Sequence, residues 1–519
     1  MSKRLSRRGL LRGAAGASAA LLIPRRATAY ATVRESAAVN ADIEIGKINP
    51  YLHGHFAEHL GTCIYEGLWV GKNSPVPNVE GFRRDAIEHL SRLGIPVLRW
   101  PGGCFADDYH WRDGIGPTGD RPSRVNIHWG NYTEDNSFGT HEFVGLCRKI
   151  GAEPYIAGNL GSGTPQEMRD WVEYCNYPGG STLSDERAAN GSKDPFGVVY
   201  WGVGNENWGC GGNMTPQEYA SHYRRFVTYM RTFGGTRPYL IACGPSSNDP
   251  SWTRGFFTKL YERQRRVRID GYAMHFYSWG GDSSTKFTVE NMREQLSSFA
   301  GLEEAILQQR AIMDGFDPER RIGLLIDEWG VWDRLVPEEE KQYGRLWQQN
   351  TIRSALAAAL GLNVFHRQAE KLHMCNIAQT VNVLQALLLT DRDRCVVTPT
   401  YYAYELEKPH RDGMSLRTER TGDSPLGVSI SASRKDNKLA ITLVNPKHNT
   451  NLELSVSVRG AKLDGGTARI LHHADRNACN TFDAPSEVTP ADHSVEAAGS
   501  MVKVELPPLS IVTAVLEIA

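Results

Sequence analysis

The feature that most constrains this chain is a strand followed by a helix, a unit repeated from about residue 49 to about residue 398. Eight short apolar runs typical of buried strands lie at 52–56, 96–99, 153–158, 198–204, 239–243, 271–275, 322–326 and 372–377. The segments predicted to be helical are 79–93, 140–150, 165–174, 216–233, 252–263, 302–314 and 338–360. Eight strands with intervening helices predict an α/β fold, a (β/α)8 TIM barrel over 49–400 with long loops.

An open, doubly wound α/β sheet is the main alternative to the barrel. Such a sheet would place a glycine-rich phosphate-binding turn after an early strand, and the sequence has no such turn. We therefore prefer the barrel.

The pattern changes near residue 417, from helical periodicity to alternation. Leu439, Ile441 and Leu443 alternate with other residues, and 452–458 continues the pattern. This predicts a C-terminal antiparallel β-sandwich, jelly-roll-like, over 401–519. The early segment 32–48 also resembles one or two strands and has no helix to pack against, so we expect it to join the sandwich.

The first 29 residues resemble an export signal. Five basic residues in 1–12 precede the apolar run 13–23 and the small-residue cleavage site Ala27-Thr28-Ala29. The apolar run is too short to span a bilayer. The pair Arg7-Arg8, with Ser6 before it and leucines after it, favours a twin-arginine signal over an ordinary secretory one. We therefore expect export to the periplasm or the outside of a bacterium.

Charge limits the class of partner. The chain has 58 basic and 59 acidic residues. Residues 1–29 hold seven of the basic residues and no acidic one, so the remainder carries a formal net charge of −8. That excess, without a basic block, argues against a nucleic-acid partner and favours a neutral ligand; no membrane partner is expected. Nine cysteines without a CxxC pair indicate neither a zinc ribbon nor a dense disulfide framework.

Two glutamates follow the fourth and seventh predicted strands. The run 198–204 leads into Asn205 and Glu206, and 322–326 leads into Asp327 and Glu328. The carboxyl ends of barrel strands face the active site, and retaining glycosidases need two carboxyl groups about 5–5.5 Å apart there. By residue type alone Glu206 could be a helix cap and Glu328 an ion-paired loop acid. Their joint placement favours catalysis.

The roles of the two glutamates follow from their neighbours. Asn205 can hydrogen-bond a sugar 2-hydroxyl, and the glutamate beside such an asparagine is conventionally the acid/base. We therefore expect Glu206 to be the acid/base and Glu328 the nucleophile.

His53 and His55 suggest a rival, metal-dependent barrel of the amidohydrolase type. That site would need further ligands after strands four or five, six and eight. His275 could serve after strand six, but strand five offers no ligand and strand four offers Asn205 and Glu206 instead. We therefore expect neither a metal nor an organic cofactor.

A set of motifs falls in the order found in one enzyme family. They are His53-Gly54-His55-Phe56-Ala57-Glu58-His59-Leu60-Gly61, Ile64-Tyr65-Glu66-Gly67-Leu68-Trp69, Leu98-Arg99-Trp100-Pro101-Gly102-Gly103 with Gly114-Ile115-Gly116-Pro117, Gly204-Asn205-Glu206, Met274-His275-Phe276-Tyr277, Asp327-Glu328-Trp329 and Ala378-Gln379-Thr380-Val381-Asn382. With them the chain resembles glycoside hydrolase family 51, the α-L-arabinofuranosidases, over essentially all of its length after residue 29. The Arg-Trp-Pro-Gly-Gly run with its Gly-Ile-Gly-Pro continuation is highly specific.

The resemblance implies a retaining, exo-acting enzyme that releases terminal α-L-arabinofuranosyl groups from arabinan- or arabinoxylan-type carbohydrate, and a homo-oligomer, often a hexamer. It also implies that Arg99 keeps the nucleophile ionised and that Tyr277 donates a hydrogen bond to it. By residue type alone they would be an ion-pair residue and a packed aromatic. The substrate-binding residues implied are Glu58, Arg99, Cys104, Asn205, His275, Tyr277 and Gln379.

Position 104 departs from the commonest family pattern, which has asparagine after the paired glycines. A thiol hydrogen-bonds poorly, so we expect a weaker sugar contact at Cys104 and a changed leaving-group preference. Cys104 and Cys210 both fall on loops at the active end. They could bridge each other or remain reduced.

Aromatic residues beside these motifs suit a carbohydrate cleft, because they stack on the apolar faces of sugars. The residues expected there are Trp69, Trp111, Trp208, Trp279, Trp329 and Trp332. Two other functions remain open: an endo-acting β-glucanase or xylanase on the same type of barrel, and a carbohydrate-binding protein without catalysis.

Overall fold

A computed structural model describes residues 30–263, 267–422 and 424–519. Residues 1–29, on which the predicted signal falls, lie outside the described residues. Within the described ranges, no helix combines the length and the apolar character needed to cross a bilayer.

Eight parallel strands close into a barrel, as predicted. In chain order they are Gly54–Phe56, Val97–Trp100, Glu153–Gly158, Tyr200–Val203, Tyr239–Ser246, Gly271–Trp279, Gly323–Trp332 and Leu372–Ala378, called here strands one to eight. Every residue of strands two and four is buried, because the barrel interior covers one face and the surrounding helices cover the other.

The helices around the barrel begin at local signals in the sequence. Two of them open on Thr-Pro-Gln-Glu, at Thr164 and Thr215, where the threonine side chain accepts the third helical N–H and proline occupies the first turn. The helices are Arg84–Leu93, Thr140–Ile150, Pro165–Asn176, Thr182–Ala189, Pro216–Val227, Pro250–Tyr261, Val289–Asp314, Pro337–Tyr343, Ile352–Arg367 and Pro399–Glu407.

Several helices differ from the prediction, and helix Pro399–Glu407 was not predicted at all. The segment 338–360 is two helices, because Gly344 ends the first one with a φ of 107° that favours glycine. The helix expected from residue 302 already begins at Val289, where Thr288 caps it. Helix Thr182–Ala189 was not predicted, although Ser181 and Ser184 form a capping box.

The loops carry short elements of their own. Three-residue and four-residue 3-10 helices are Pro50–His53, Cys104–Asp107, Trp111–Gly114, Thr118–Asp120 and Lys408–His410. Small antiparallel hairpins pair Asn78–Val79 with Phe82–Arg83, Arg124–Val125 with Thr133–Glu134, and Leu388–Asp391 with Arg394–Val397.

Ten strands form a second, mostly antiparallel β domain, which confirms the predicted fold class. They are Ala31–Lys47, Met414–Arg420, Ser429–Lys435, Lys438–Asn445, Thr450–Arg459, Leu463–His472, Ala491–His493, Glu496–Gly499, Met501–Leu506 and Ser510–Ile518. Leu463–His472 pairs on both sides, with Glu496–Gly499 and with Ser510–Ile518, so the sheet closes on itself. Strand Ala31–Lys47 of the β domain pairs parallel with Thr450–Arg459 and antiparallel with Met414–Arg420.

The barrel and the β domain meet along helix Ile352–Arg367. Fifteen residues of this helix are buried, and it contacts strands of the β domain as well as the neighbouring helix Pro399–Glu407. The expected domain boundary at residue 400 falls inside that second helix, which starts at Pro399 behind its cap Thr398. The junction is therefore made of barrel helices packed on a β sheet.

Candidate active site

The predicted site residues come together at the carboxyl end of the barrel. Glu58 follows strand one, Arg99 lies in strand two, Asn205 and Glu206 follow strand four, His275 and Tyr277 lie in strand six, Glu328 lies in strand seven and Gln379 follows strand eight. They surround a cavity of about 330 Å³. Arg99 and Asn205 do not line the cavity themselves but hydrogen-bond to each other and, through Arg99, to Glu328.

The two predicted catalytic carboxylates face each other in this cavity. One carboxylate oxygen of Glu206 and one of Glu328 lie within 4.8 Å of each other. His275 lies between them, with Nδ1 2.9 Å from Oε1 of Glu206 and 3.6 Å from Oε2 of Glu328. This spacing fits direct attack by one carboxylate on the sugar. The inverting mechanism, in which a water molecule lies between a carboxylate and the sugar, needs carboxyl groups about 6.5–9.5 Å apart.

Glu328 is held as an anion. Burial raises its pKa, but the positive charges of His275 and Arg99 lower it by more than burial raises it. The net effect is a lowered pKa. Arg99 Nη1 donates to Oε1 at 2.8 Å, and the Tyr277 hydroxyl donates to Oε2 at 2.8 Å. Burial also opposes the charge of Arg99, yet Asp327 and Glu328 raise its pKa. Glu328 is therefore ionised and oriented before any substrate arrives.

Glu206 sits on a strained turn. Its φ is +44°, in the left-handed region that non-glycine residues rarely adopt, and Gly204 before it has a φ of +91°. Asp107, which sequence analysis missed, fixes this turn: Oδ2 accepts the backbone N–H of Asn205 at 2.7 Å, and Oδ1 accepts the N–H of Leu160 at 2.7 Å. Burial raises the pKa of Asp107 to about 7 despite these bonds.

Glu58 lies against the other wall of the cavity. It accepts hydrogen bonds from the backbone of Phe105 at 3.0 Å, from Trp129 Nε1 at 2.9 Å and from Gln379 Nε2 at 3.3 Å. Burial and the negative charge of Glu328 nevertheless raise its pKa to about 8. A pKa near 8 favours the neutral carboxyl form of Glu58 at pH 7, and this form can donate as well as accept.

Cys104 does not present a thiol to this cavity. It forms a disulfide with Cys210, with a Cα–Cα distance of 5.5 Å. The Cys104 sulfur lies 3.8 Å and the Cys210 sulfur 3.4 Å from Oε2 of Glu206. The bridge therefore packs against the Glu206 carboxylate, and position 104 presents a disulfide sulfur to the cavity.

Half of the predicted aromatic cluster is absent from the cavity wall. Trp208, Trp279 and Trp332 line the cavity, with Trp279 stacked on Trp332 at 4.8 Å. The prediction is wrong for Trp69, Trp111 and Trp329, which are at most 5% exposed and pack in the core. Trp129 lines the cavity but was missed, because its loop lies outside every recognised motif.

Comparison with known proteins agrees with this geometry. The model of the α-L-arabinofuranosidase 1 domain matches residues 89–291, and that of the α-L-arabinofuranosidase C-terminal domain matches residues 327–510. The intracellular exo-α-L-arabinofuranosidase of Bacteroides ovatus is 41% identical over 505 residues, which cover 94% of this chain and 96% of that protein. The GH51 arabinofuranosidase of Xanthomonas axonopodis pv. citri is 40% identical, with a TM-score of 0.89 over 93% of this chain and 100% of that one. The chain belongs to the family 51 α-L-arabinofuranosidases.

A more distant member of the family extends the likeness. The α-L-arabinofuranosidase of Thermotoga maritima, solved as an arabinose complex, is 30% identical with a TM-score of 0.83, over 93% of this chain and 100% of that one. The family 51 assignment therefore covers the barrel and the β domain together.

The predicted export of this family 51 chain is wrong. The Bacteroides ovatus relative, which spans nearly the whole chain, is named as an intracellular enzyme and points away from an exported protein. The prediction rested on a short local pattern of basic, apolar and small residues in 1–29. Such a pattern depends on composition alone and is not constrained by the packing that supports the barrel motifs.

Proposed function

We propose that this family 51 α-L-arabinofuranosidase is an exo-acting, retaining enzyme in which Glu206 is the acid/base and Glu328 the nucleophile. One observation carries the proposal: the two carboxylates lie within 4.8 Å of each other on one cavity, and only Glu328 is held ionised by Arg99 and Tyr277. An ionised, buried and oriented carboxylate suits nucleophilic attack.

In the first step, a carboxylate oxygen of Glu328 bonds to the anomeric carbon while Glu206 gives its proton to the departing glycosidic oxygen. The product is a covalent arabinosyl ester and the released alcohol. In the second step, Glu206 takes a proton from water, the water oxygen attacks the anomeric carbon, and the Glu328 ester bond breaks. Two displacements at one carbon retain its configuration.

The groups around the pair suit recognition of a single sugar. The Asn205 side chain accepts from Arg99 through Oδ1, while its buried Nδ2 has no partner among the described residues, which leaves a free donor next to Glu206. Glu58 and Gln379 offer further donors and acceptors on the opposite wall. A cavity of about 330 Å³ favours a terminal residue over the interior of a chain, which supports exo action.

His275 and Tyr277 would act mainly through the carboxylates. Burial lowers the pKa of His275, but Glu328 and Glu206 raise it, so the net shift is upward and favours a charged imidazolium that holds both glutamates. The natural substrate we propose is an arabinan- or arabinoxylan-type glycan. The hexamer implied by family resemblance is checked by size-exclusion chromatography with light scattering.

The stereochemistry of the first product tests the mechanism. Hydrolysis of an aryl α-L-arabinofuranoside, followed by ¹H NMR in the first turnovers, should show α-L-arabinofuranose before the anomers equilibrate. Early appearance of the β anomer would contradict double displacement. Parallel assays on soluble cellulose and unsubstituted xylan test the endo-acting alternative, for which we expect no depolymerisation.

A further inference from the structure

A second cluster of imidazole and carboxylate groups lies at the junction between the barrel and the β domain. It consists of His366 near the end of helix Ile352–Arg367, Glu407 at the end of helix Pro399–Glu407, and His410 in the turn that follows. All three side chains are completely buried. The cluster is remote from the cavity: His53, which contacts His366, precedes strand one, whereas Glu58 follows it.

Glu407 is the unusual member of this cluster. Neither of its carboxylate oxygens has a hydrogen-bond partner among the described residues, although both are buried. Buried carboxylates are normally paired, hydrogen-bonded or bound to a metal, because an isolated one loses its solvation without compensation. Its Oε2 lies 3.7 Å from Nδ1 of His366 and 3.6 Å from Nε2 of His410. These distances are too long for hydrogen bonds.

The same distances fit a shared cation. A tetrahedral ion with bonds of about 2.0–2.1 Å has its ligands about 3.4 Å apart, close to the two observed separations. One ligand atom from each of His366, Glu407 and His410 lies within 4.8 Å of the others, so the three atoms converge on one point. Two imidazoles and one carboxylate form a donor set that suits Zn²⁺ and similar divalent transition metals.

The surroundings hold both imidazoles in a metal-binding orientation. His366 Nε2 contacts His53 Nε2 at 2.9 Å, and His410 Nδ1 contacts Ser433 Oγ at 2.9 Å. Each ring can therefore keep its proton on the nitrogen that points away from Glu407, as metal-bound histidines do. With an ion bound, the nitrogens that face Glu407 would be its ligands.

Two hydroxyl groups of the β domain contact the nitrogens of His366 and His410 that face Glu407. Ser431 Oγ lies 3.2 Å from Nδ1 of His366 and donates its proton to Asn363 at 2.6 Å, so without an ion it accepts from Nδ1, and the His366 proton would move to Nε2 when Nδ1 binds a metal. Thr442 Oγ1 lies 2.9 Å from Nε2 of His410. Both residues belong to strands of the β domain, and either oxygen is within reach of a fourth coordination position.

We propose that His366, Glu407 and His410 bind a divalent transition metal, preferably Zn²⁺, which fastens together the ends of two barrel helices at the junction with the β domain. Glu407 would bind the ion as a carboxylate, and the ion would link two barrel helices beside the sheet. This role is structural, because the site is sealed from solvent and lies at the far end of strand one from the catalytic carboxylates.

Metal content of the full-length protein tests the proposal. The protein is incubated with Zn²⁺, desalted and measured by inductively coupled plasma mass spectrometry. We expect about one zinc ion per chain in the wild type and a loss of at least about tenfold in Glu407→Gln. Glu405→Gln is the matched control: it changes a carboxylate on the same helix that instead contacts Arg469 at the surface, and it should keep the ion.

Two further measurements separate this site from the catalytic one. Glu206, His275 and Glu328 could also hold a cation, so Glu328→Gln must retain the zinc if the junction binds it. Removal of the ion with a chelator should lower the Tm of the wild type by more than about 4 °C. A metal-free wild type, in which Glu407 is simply protonated, would overturn the proposal, as would zinc that persists in Glu407→Gln.

Discussion

Strand one separates two buried groups of histidine and glutamate. They differ in how the protein compensates a buried carboxyl group for its lost solvation. At its carboxyl end, Glu328 is bonded to Arg99 and Tyr277, and the group opens onto a cavity. At its amino end, Glu407 lies in a completely buried group without a hydrogen-bond partner from the described residues. The first group compensates its charges with protein alone, which leaves it free to react with a substrate. The second has no access for a substrate and can only affect stability.

The sharpest test of this difference replaces one glutamate at each end by glutamine. Glu328→Gln should lower kcat on aryl α-L-arabinofuranosides by at least about 10⁴-fold, because the amide cannot form the ester intermediate. Glu407→Gln should leave kcat and KM at 25 °C unchanged while altering the Tm. Steady-state kinetics and thermal unfolding of both variants make the comparison. A large loss of kcat in folded Glu407→Gln would mean that the two ends are coupled.

Glu206→Gln should produce a smaller loss that depends on the leaving group. Removing a general acid costs about 10²–10⁴-fold when the leaving group needs protonation, and much less when it leaves readily as an anion. We expect the ratio of kcat/KM for a dinitrophenyl to that for an alkyl arabinofuranoside to rise relative to the wild type. Equal losses on both substrates would remove the acid/base assignment and leave Glu206 as a residue that only orients His275.

The sequence predicted the carboxyl end of the barrel well, for a physical reason. Strands that are buried on both faces are short apolar runs, and a parallel barrel brings the residue after each run to one end. Glu206 and Glu328 could therefore be placed together although 122 positions separate them in the chain. The family motifs then added Glu58, Arg99, Tyr277 and Gln379, all of which the structure brings to this end of the barrel.

The parts that could not be predicted depend on loop paths and on contacts between domains. Asp107 fixes the Glu206 turn through backbone N–H groups, so no residue pattern marks it. Trp129 reaches Glu58 from a loop whose course is set by tertiary packing. The approach of His410 to His366 depends on how helices Ile352–Arg367 and Pro399–Glu407 pack on each other and on the β domain, which no local periodicity in the sequence encodes. From the sequence, His53 fits only the rejected metal-dependent barrel; in the structure it precedes strand one and does not line the cavity.

The decrease of kcat/KM at alkaline pH tests the protonation of Glu58 at the carboxyl end of the barrel. Glu58 has its pKa raised to about 8, so above that pH it becomes a second anion near Glu328, and kcat/KM should fall about tenfold per pH unit. Glu58→Gln stays neutral and should lose this limb, although its kcat/KM is lower at every pH. A limb near pH 8 that remains in Glu58→Gln would assign the titration to another group.

The raised pKa of Glu58 also makes the free energy of unfolding depend on pH. The unfolded chain releases the Glu58 proton above its ordinary pKa of 4.5, whereas the folded chain retains the proton until about pH 8. The contribution of this group to the free energy of unfolding therefore decreases as the pH rises from 4.5 to 8. Denaturant unfolding of the wild type and Glu58→Gln over this range should show the difference, with the steeper decrease in the wild type.

The smallest effect is expected at the rim of the cavity. Trp279 is 64% exposed and stacks on Trp332, a position where it can contact the part of a glycan that extends beyond the terminal sugar. Such stacking contributes about 0.5–1.5 kcal/mol, so Trp279→Ala should raise KM for an arabino-oligosaccharide by roughly twofold to tenfold while kcat/KM on a small aryl arabinofuranoside stays unchanged. Tyr229→Ala removes an aromatic ring that is 51% exposed and absent from the cavity lining, and it should change neither value. If Trp279→Ala affects both substrates equally, the ring supports the cavity wall through Trp332 and does not bind the leaving portion of the glycan.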